Sequence, residues 1–148
     1  MIILIISGCT TSKTAPLLLE APEPDITNDK AVLYIFRDRA EPLAWPAYLE
    51  IENTNVASLK QEGYTWVYVT PGKKNLKYGW PALVGMPSVK FDFEFAPNKS
   101  YAFEMTGKAR YTGIGFNTQT ILKEMEITQA KKIIYLCCRY VPPVSSSM

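Results

Sequence analysis

Three cysteines, no histidine and a scatter of large aromatic side chains set the limits on the chemistry this sequence can do. Without histidine, the Ser-His-Asp and Cys-His nucleophile arrangements are excluded, together with the commonest zinc and iron ligand. Any enzymatic reading must therefore rest on carboxylates, lysines or cysteines. Asp92 and Glu94 share one face of an alternating stretch, as a glycosidase carboxylate pair would, but Lys90 shares it too and the set reads as a solvated surface. GKARYTGIG, Gly107 to Gly115, has glycines through which backbone amides could approach an anion. It lacks the glycine spacing, the Lys-Ser/Thr ending and the strand-to-helix setting of a phosphate cradle, and a glycine-bearing turn between strands fits it better. Cys137 and Cys138 are adjacent. A vicinal disulfide closes a strained ring, and the side chains of adjacent helical residues diverge, so Cys137 is expected in an apolar helical stripe and Cys138 as a less buried free thiol. No catalytic residue, metal site or cofactor is expected.

The side chains with most scope for recognition are Trp45 before Pro46, then Tyr48, and later Tyr78 and Trp80 before Pro81. A Trp-Pro step near a turn places a flat ring in a loop, where it can stack on a sugar, a peptide or a neighbouring protein. The alternative is a ring folded back over the open end of the domain. Trp45 and Trp80 exposed side by side would favour binding.

Cys9 follows a short apolar run. Ile6-Ser7-Gly8-Cys9 resembles the bacterial lipobox, an aliphatic residue and two small residues before the cysteine that receives diacylglycerol. The run IILII has no basic n-region and is shorter than the ~7–15 apolar residues of a signal peptide, which fits a start codon upstream of Met1. The alternative is a first strand over Met1 to Gly8 with Cys9 as a small buried side chain. From Thr10 to Lys30 the chain carries three prolines, several Ser/Thr and no apolar periodicity, which is linker composition and suits a tether. Thr10, rather than aspartate, follows the cysteine; by resemblance to enteric lipoproteins this favours sorting to the outer membrane.

The elements that must position these residues are strands. KAVLYIFRDR, from Lys30, is a β-branched and aromatic run ended by charges and reads as a buried strand. PAYLEIEN and NVASLK flank NTN as a hairpin, since asparagine tolerates positive φ. In GYTWVYVTPGKKNLKYGW, Tyr64, Trp66 and Tyr68 lie on one face and Val67 and Val69 on the other. Pro71-Gly72 carries the signature of a type II turn, implying a second hairpin. Val89, Phe91, Phe93 and Phe95 alternate with Lys90, Asp92 and Glu94, so that strand has one buried and one wet face. Pro97-Asn98 turns it into SYAFEM, and TQTILKEMEI supplies a last strand. Ala130, Ile133, Ile134 and Cys137 then recur at the spacing of a helical face, with Thr128 as candidate N-cap.

About seven strands with turn signals every ~8–12 residues imply an all-β antiparallel sandwich with one short C-terminal helix. The 148 residues, 47% apolar and 20% charged, are one domain's worth. A formal net charge of +2 without a dense basic block gives no electrostatic case for nucleic acid, and no apolar run approaches the ~18 residues of a membrane-spanning helix. The order of ISGC, a proline-bearing tether, KAVLYIFRDR, YLEIENTNVASLK, GYTWVYVTPGKKNLKY, FAPNKSYAFEM and a terminal segment with Cys137 and Cys138 resembles the domain of unknown function 2846 family of bacterial envelope lipoprotein-like proteins. The resemblance spans about Lys30 to Tyr140, and VTPGKK looks like the turn of small Ig-like extracellular modules. ENTN stands where such hairpins usually carry Asp-Gly or Gly. The resemblance implies fold and location, with no reaction to transfer.

The expected organisation is a signal-peptide remnant at 1–8, a lipid-anchor cysteine and flexible tether at 9–29, a sandwich at 30–142 and a disordered tail at 143–148. The expected role is that of a lipid-anchored cell-envelope protein facing the periplasm, structural or protein-interacting and non-catalytic. Its partners would be the membrane, through lipid on Cys9, and an envelope protein or glycan; the alternative is a glycan- or peptide-binding module using Trp45, Tyr48, Tyr78 and Trp80.

Overall fold

The computed structural model describes residues 10–26, 29–42 and 44–145. Among these residues nine strands form two packed sheets: β1 (Ala31–Arg37), β2 (Ala47–Ile51), β3 (Thr54–Leu59), β4 (Gly63–Val69), β5 (Gly72–Gly79), β6 (Val89–Phe95), β7 (Ser100–Tyr111), β8 (Phe116–Met125) and β9 (Arg139–Tyr140). One helix, α1 (Ile127–Cys137), lies between β8 and β9. The molecule is a two-sheet β-sandwich with one short C-terminal helix, as the alternation of side chains implies. The first sheet has the order β8-β7-β1-β4-β9 and the second β3-β2-β5-β6.

The first sheet is mixed rather than antiparallel, because β1 runs parallel to β7 (Val32↔Ser100 through Phe36↔Glu104) and β4 parallel to β9. The second sheet is antiparallel throughout. Two expected hairpins are therefore crossings. Pro71-Gly72, with Gly72 at φ 111°, carries the chain from β4 in one sheet to β5 in the other, and Asn98, at φ 57°, bends it from β6 back to β7. Such a bend reverses the chain locally, but β4 is already flanked by β1 and β9, so its successor must pair elsewhere. The β2–β3 hairpin forms, but its turn is Glu52-Asn53 rather than NTN, both residues at positive φ as a type I′ turn demands, and Thr54 and Asn55 already belong to β3.

β1 is buried along its whole length because both faces of its sheet are covered. Leu33 and Ile35 point into the sandwich core with Leu49, Val67, Leu76 and Phe103. Edge-on ring pairs, Phe93 with Phe95 at 4.9 Å and with Phe103 at 5.1 Å between centroids, fill the end of that core. Val32, Tyr34 and Phe36 point outward under Ala130 and Ile134 of α1. The N-cap of α1 is Glu126 rather than Thr128: its carboxylate accepts the backbone N–H of Thr128 (2.9 Å) and Gln129 (3.0 Å).

The tether expectation does not survive over residues 10–26. Proline-rich though it is, this segment is a strap docked on the first sheet, so the folded unit begins well before residue 30. Its carbonyls are acceptors: Ala15 O takes Arg139 Nη1 (2.8 Å), Pro16 O takes Tyr140 N (2.7 Å) and Pro22 O takes Trp66 Nε1 (2.8 Å). Asp25 N donates to the Tyr68 hydroxyl (2.8 Å). An 11-residue helix is only ~16 Å long and cannot cover Tyr64, Trp66 and Tyr68 as well as β1; Leu18 and Ala21 of the strap pack there. Likewise Val144, in the expected tail, donates its N–H to Val56 O (3.0 Å).

Candidate functional site

The site is best built from Arg37, at the last position of β1. Its side chain is fully buried at one end of the sandwich. Nη1 donates to Trp45 O (2.6 Å) and Leu59 O (2.9 Å), and Nη2 to Ala40 O (2.9 Å) and Pro42 O (2.7 Å). Burial pulls the guanidinium down to about 10, still far above neutrality, so it stays charged among those carbonyls. Gln61 seconds it: Oε1 accepts Ala40 N (2.9 Å) and Nε2 donates to Ala40 O (2.6 Å). Together they hold the loop after β1 down over the end of the core.

The registers bring several features to this same end. Arg37 is opposite Gly63, which is opposite Arg139, and the described chain starts beside them, with Thr10 bridged to Gln61 and Thr11 N donating to Gln61 O (2.8 Å). Cys137 and Cys138 sit here as well, joined in a disulfide, with Cys138 buried and its sulfur 3.7 Å from Arg37 O. The free-thiol expectation fails because Cys138 is not helical. At φ −126° and ψ 148° it is the extended residue after α1, so the divergence of adjacent helical side chains does not apply.

The four aromatic residues expected to bind are not brought together. Tyr78 is fully buried and donates its hydroxyl to Thr106 O (3.0 Å). Trp80 is 2% exposed, with its ring 5.1 Å from that of Tyr78 and the Arg37 guanidinium 5.8 Å away. Both are core residues: Trp80 folds back to close the end of the sandwich, and Gly107 gives it room, since a Cβ there would lie 2.7 Å from the indole. Tyr48 is half-buried beneath the Lys77 ammonium (5.3 Å), which also pairs with Glu50 (3.3 Å). Trp45 alone of the four is exposed, at 42%.

What the sequence reading missed is the far part of the β7–β8 hairpin. β7 leaves β1 at the Phe36↔Glu104 pair and continues to Tyr111, paired with β8 as far as Tyr111↔Phe116. From Lys108 to Tyr111 it is exposed, a free-standing ribbon ~14 Å long. Its tip carries Tyr111 (64% exposed), Ile114 (100%) and Phe116 (73%). The tip is ordered by its own contacts: Thr112 N and Oγ1 both donate to Gly115 O, Gly113 takes φ 86°, and the two rings are 5.5 Å apart. GKARYTGIG is the glycine-bearing turn between strands that its sequence suggests, but an exposed apolar tip does not follow from that reading.

A small cleft lies between strap, α1 and sheet, lined by Leu18, Pro22, Tyr34, Tyr64, Trp66 and Lys131, with a volume of about 150 Å³. That is below the ~300 Å³ at which small-molecule sites begin. Burial raises the Tyr34 hydroxyl to about 12 and pushes Tyr64 up as well, so both stay protonated. Among the described residues no group of three metal-ligating side chains converges, and no helix is long and apolar enough to cross a membrane. Cys9, the expected lipidation site, lies outside the described residues. No protein-family model and no curated protein matches the chain.

Proposed function

We propose that this chain is a lipid-anchored protein of the bacterial cell envelope, acylated on Cys9, with a non-catalytic structural or protein-interaction role. The observation that carries the reading is the lipobox-like Ile6-Ser7-Gly8-Cys9 at the end of an apolar run. Thr10 and Thr11 are fixed to Gln61, so an acyl group on Cys9 would hold the sandwich close to the bilayer rather than on a long leash. Stable anchoring needs two or more acyl chains, which a diacylglyceryl cysteine supplies. Thr10, rather than aspartate, after the cysteine favours the outer membrane, with the sandwich facing the periplasm. The glycan- or peptide-binding alternative loses its paired platform, because Tyr78 and Trp80 are core residues.

The test is intact mass and membrane fractionation of the protein expressed in a bacterial host from its own upstream region, beside Cys9→Ser. Acyl mass on Cys9 and membrane association in the wild type, both lost in the variant, is the expected result. Soluble, unmodified protein in both cases would sink the anchor and the location with it.

A further inference from the structure

We infer that the tip of the β7–β8 ribbon is a second contact with the membrane, inserting Tyr111, Ile114 and Phe116 into the surface of an anionic bilayer. The inference deepens the anchor reading and rests on it for orientation. Three observations carry it. First, the tip and the start of the described chain lie at the same end. Tyr111 is seven positions beyond Glu104 and Gln61 is three before Tyr64, while Glu104 and Tyr64 both pair with Phe36. The tip therefore stands four strand positions, ~14 Å, beyond Thr10. A cysteine one residue before Thr10 is tied within ~4 Å of it, so the tip outreaches the anchor by about 10 Å, matching the ~5–10 Å depth of interfacial insertion.

Second, a two-stranded ribbon with no sheet or helix against it is marginal in water, and its apolar side chains gather at the tip rather than on a face turned to the body. Nothing among the described residues covers them. Third, the charge suits a lipid surface: from Met105 to Lys123 there is no Asp or Glu, while Lys108 and Arg110 stand on the exposed strand just behind the tip. Aromatic rings at the interface with cations behind them match an anionic headgroup layer over acyl chains.

The test uses the full chain with Cys9→Ser, so that no acyl chain holds it, and with Ile114→Trp as a reporter. Ile114 is fully exposed, so the larger ring disturbs no packing. Vesicles of phosphatidylglycerol and phosphatidylethanolamine are prepared with and without bromine on the acyl chains. The emission added by the substitution is expected to shift to shorter wavelength on vesicles and to be quenched by the brominated ones. Lys108→Glu with Arg110→Glu is expected to abolish both effects. Because the reporter sits on the tip, vesicle binding through the apolar run before Cys9 does not mimic the result. Added emission that stays open to aqueous acrylamide on vesicles overturns the inference. So does a blue shift that needs no lipid and grows with protein concentration, which would assign the tip to a second copy of the chain. Acyl mass on wild-type Cys9 is read separately, so loss of the anchor and loss of the tip contact are told apart.

Discussion

Replacing Arg37 by methionine tests the organisation of the whole end of the sandwich. Methionine keeps most of the side-chain volume and removes four donated hydrogen bonds. The acceptors do not suffer equally. Ala40 O keeps Gln61 Nε2, and Trp45 O and Pro42 O lie in a part-buried setting that water can reach. Leu59 O is buried and left without its donor, at a cost of ~1–3 kcal/mol. Losing charge-assisted bonds at the other carbonyls adds to this, and release from burying a cation offsets part, so the net loss is about 2–4 kcal/mol. With a urea m-value of ~1–3 kcal/mol/M, the midpoint should fall by ~1–2 M with m unchanged. Arg37→Lys should fall between the two, since an ammonium offers three donors and no planar fork. Limited proteolysis should cut the variant first in the loop between β1 and β2. An Arg37→Met midpoint within experimental scatter of wild type, with the loop still resistant, would refute the claim that this side chain holds the end of the fold.

Gly107→Ala should destabilise by ~1–3 kcal/mol in the same urea assay, because its Cβ would lie 2.6 Å from Glu41 O and 2.7 Å from the Trp80 ring, so that a backbone carbonyl and a buried ring must shift. Two carboxyls should give pH dependences of opposite sign. The Glu126 carboxyl is held below its usual 4.5 by the N–H groups of Thr128 and Gln129, so its contribution is present above 4.5 and lost as pH falls through the lower folded value; Glu126→Gln should shrink that acid loss. Burial raises Glu104, so the folded state binds the proton more tightly and stability falls as pH rises from 4.5 through the folded value; Glu104→Gln should remove that fall in urea midpoints across the window. Thiol titration of the denatured, unreduced Cys9→Ser chain should find no free thiol and, after reduction, both Cys137 and Cys138; free thiols before reduction would refute the pairing.

The strands were legible because period-two alternation reports burial directly: Val89 to Phe95 and Tyr64 to Val69 face as their side chains imply. Pairing was not. A Pro-Gly step states that the chain bends, and the same bend serves a hairpin or a crossing; which it is depends on whether the preceding strand still has a free edge, a property of the whole sheet. The strap was hidden for a related reason. Its docking uses backbone carbonyls and two small apolar contacts, neither of which leaves a periodic trace, so proline-rich composition looked like a leash.

Arg37 shows where reasoning by residue class fails and what replaces it. A charge at the end of a strand reads as the point where the chain meets water, and in Arg39, whose guanidinium lies 3.3 Å from Glu62 at an exposed position, that reading holds. Two positions earlier the same side chain is buried, because three carbonyls of the loop after β1 (Ala40, Pro42 and Trp45) and that of Leu59 at the end of β3 converge on it. Beside that loop Trp80 packs inward over Gly107, and β7 runs on past the body to Tyr111. With the end of the sandwich sealed by Trp80 and the arginine-held loop, whose Trp45 stays exposed, the ribbon tip with Tyr111, Ile114 and Phe116 is the apolar surface that stands furthest out at that end.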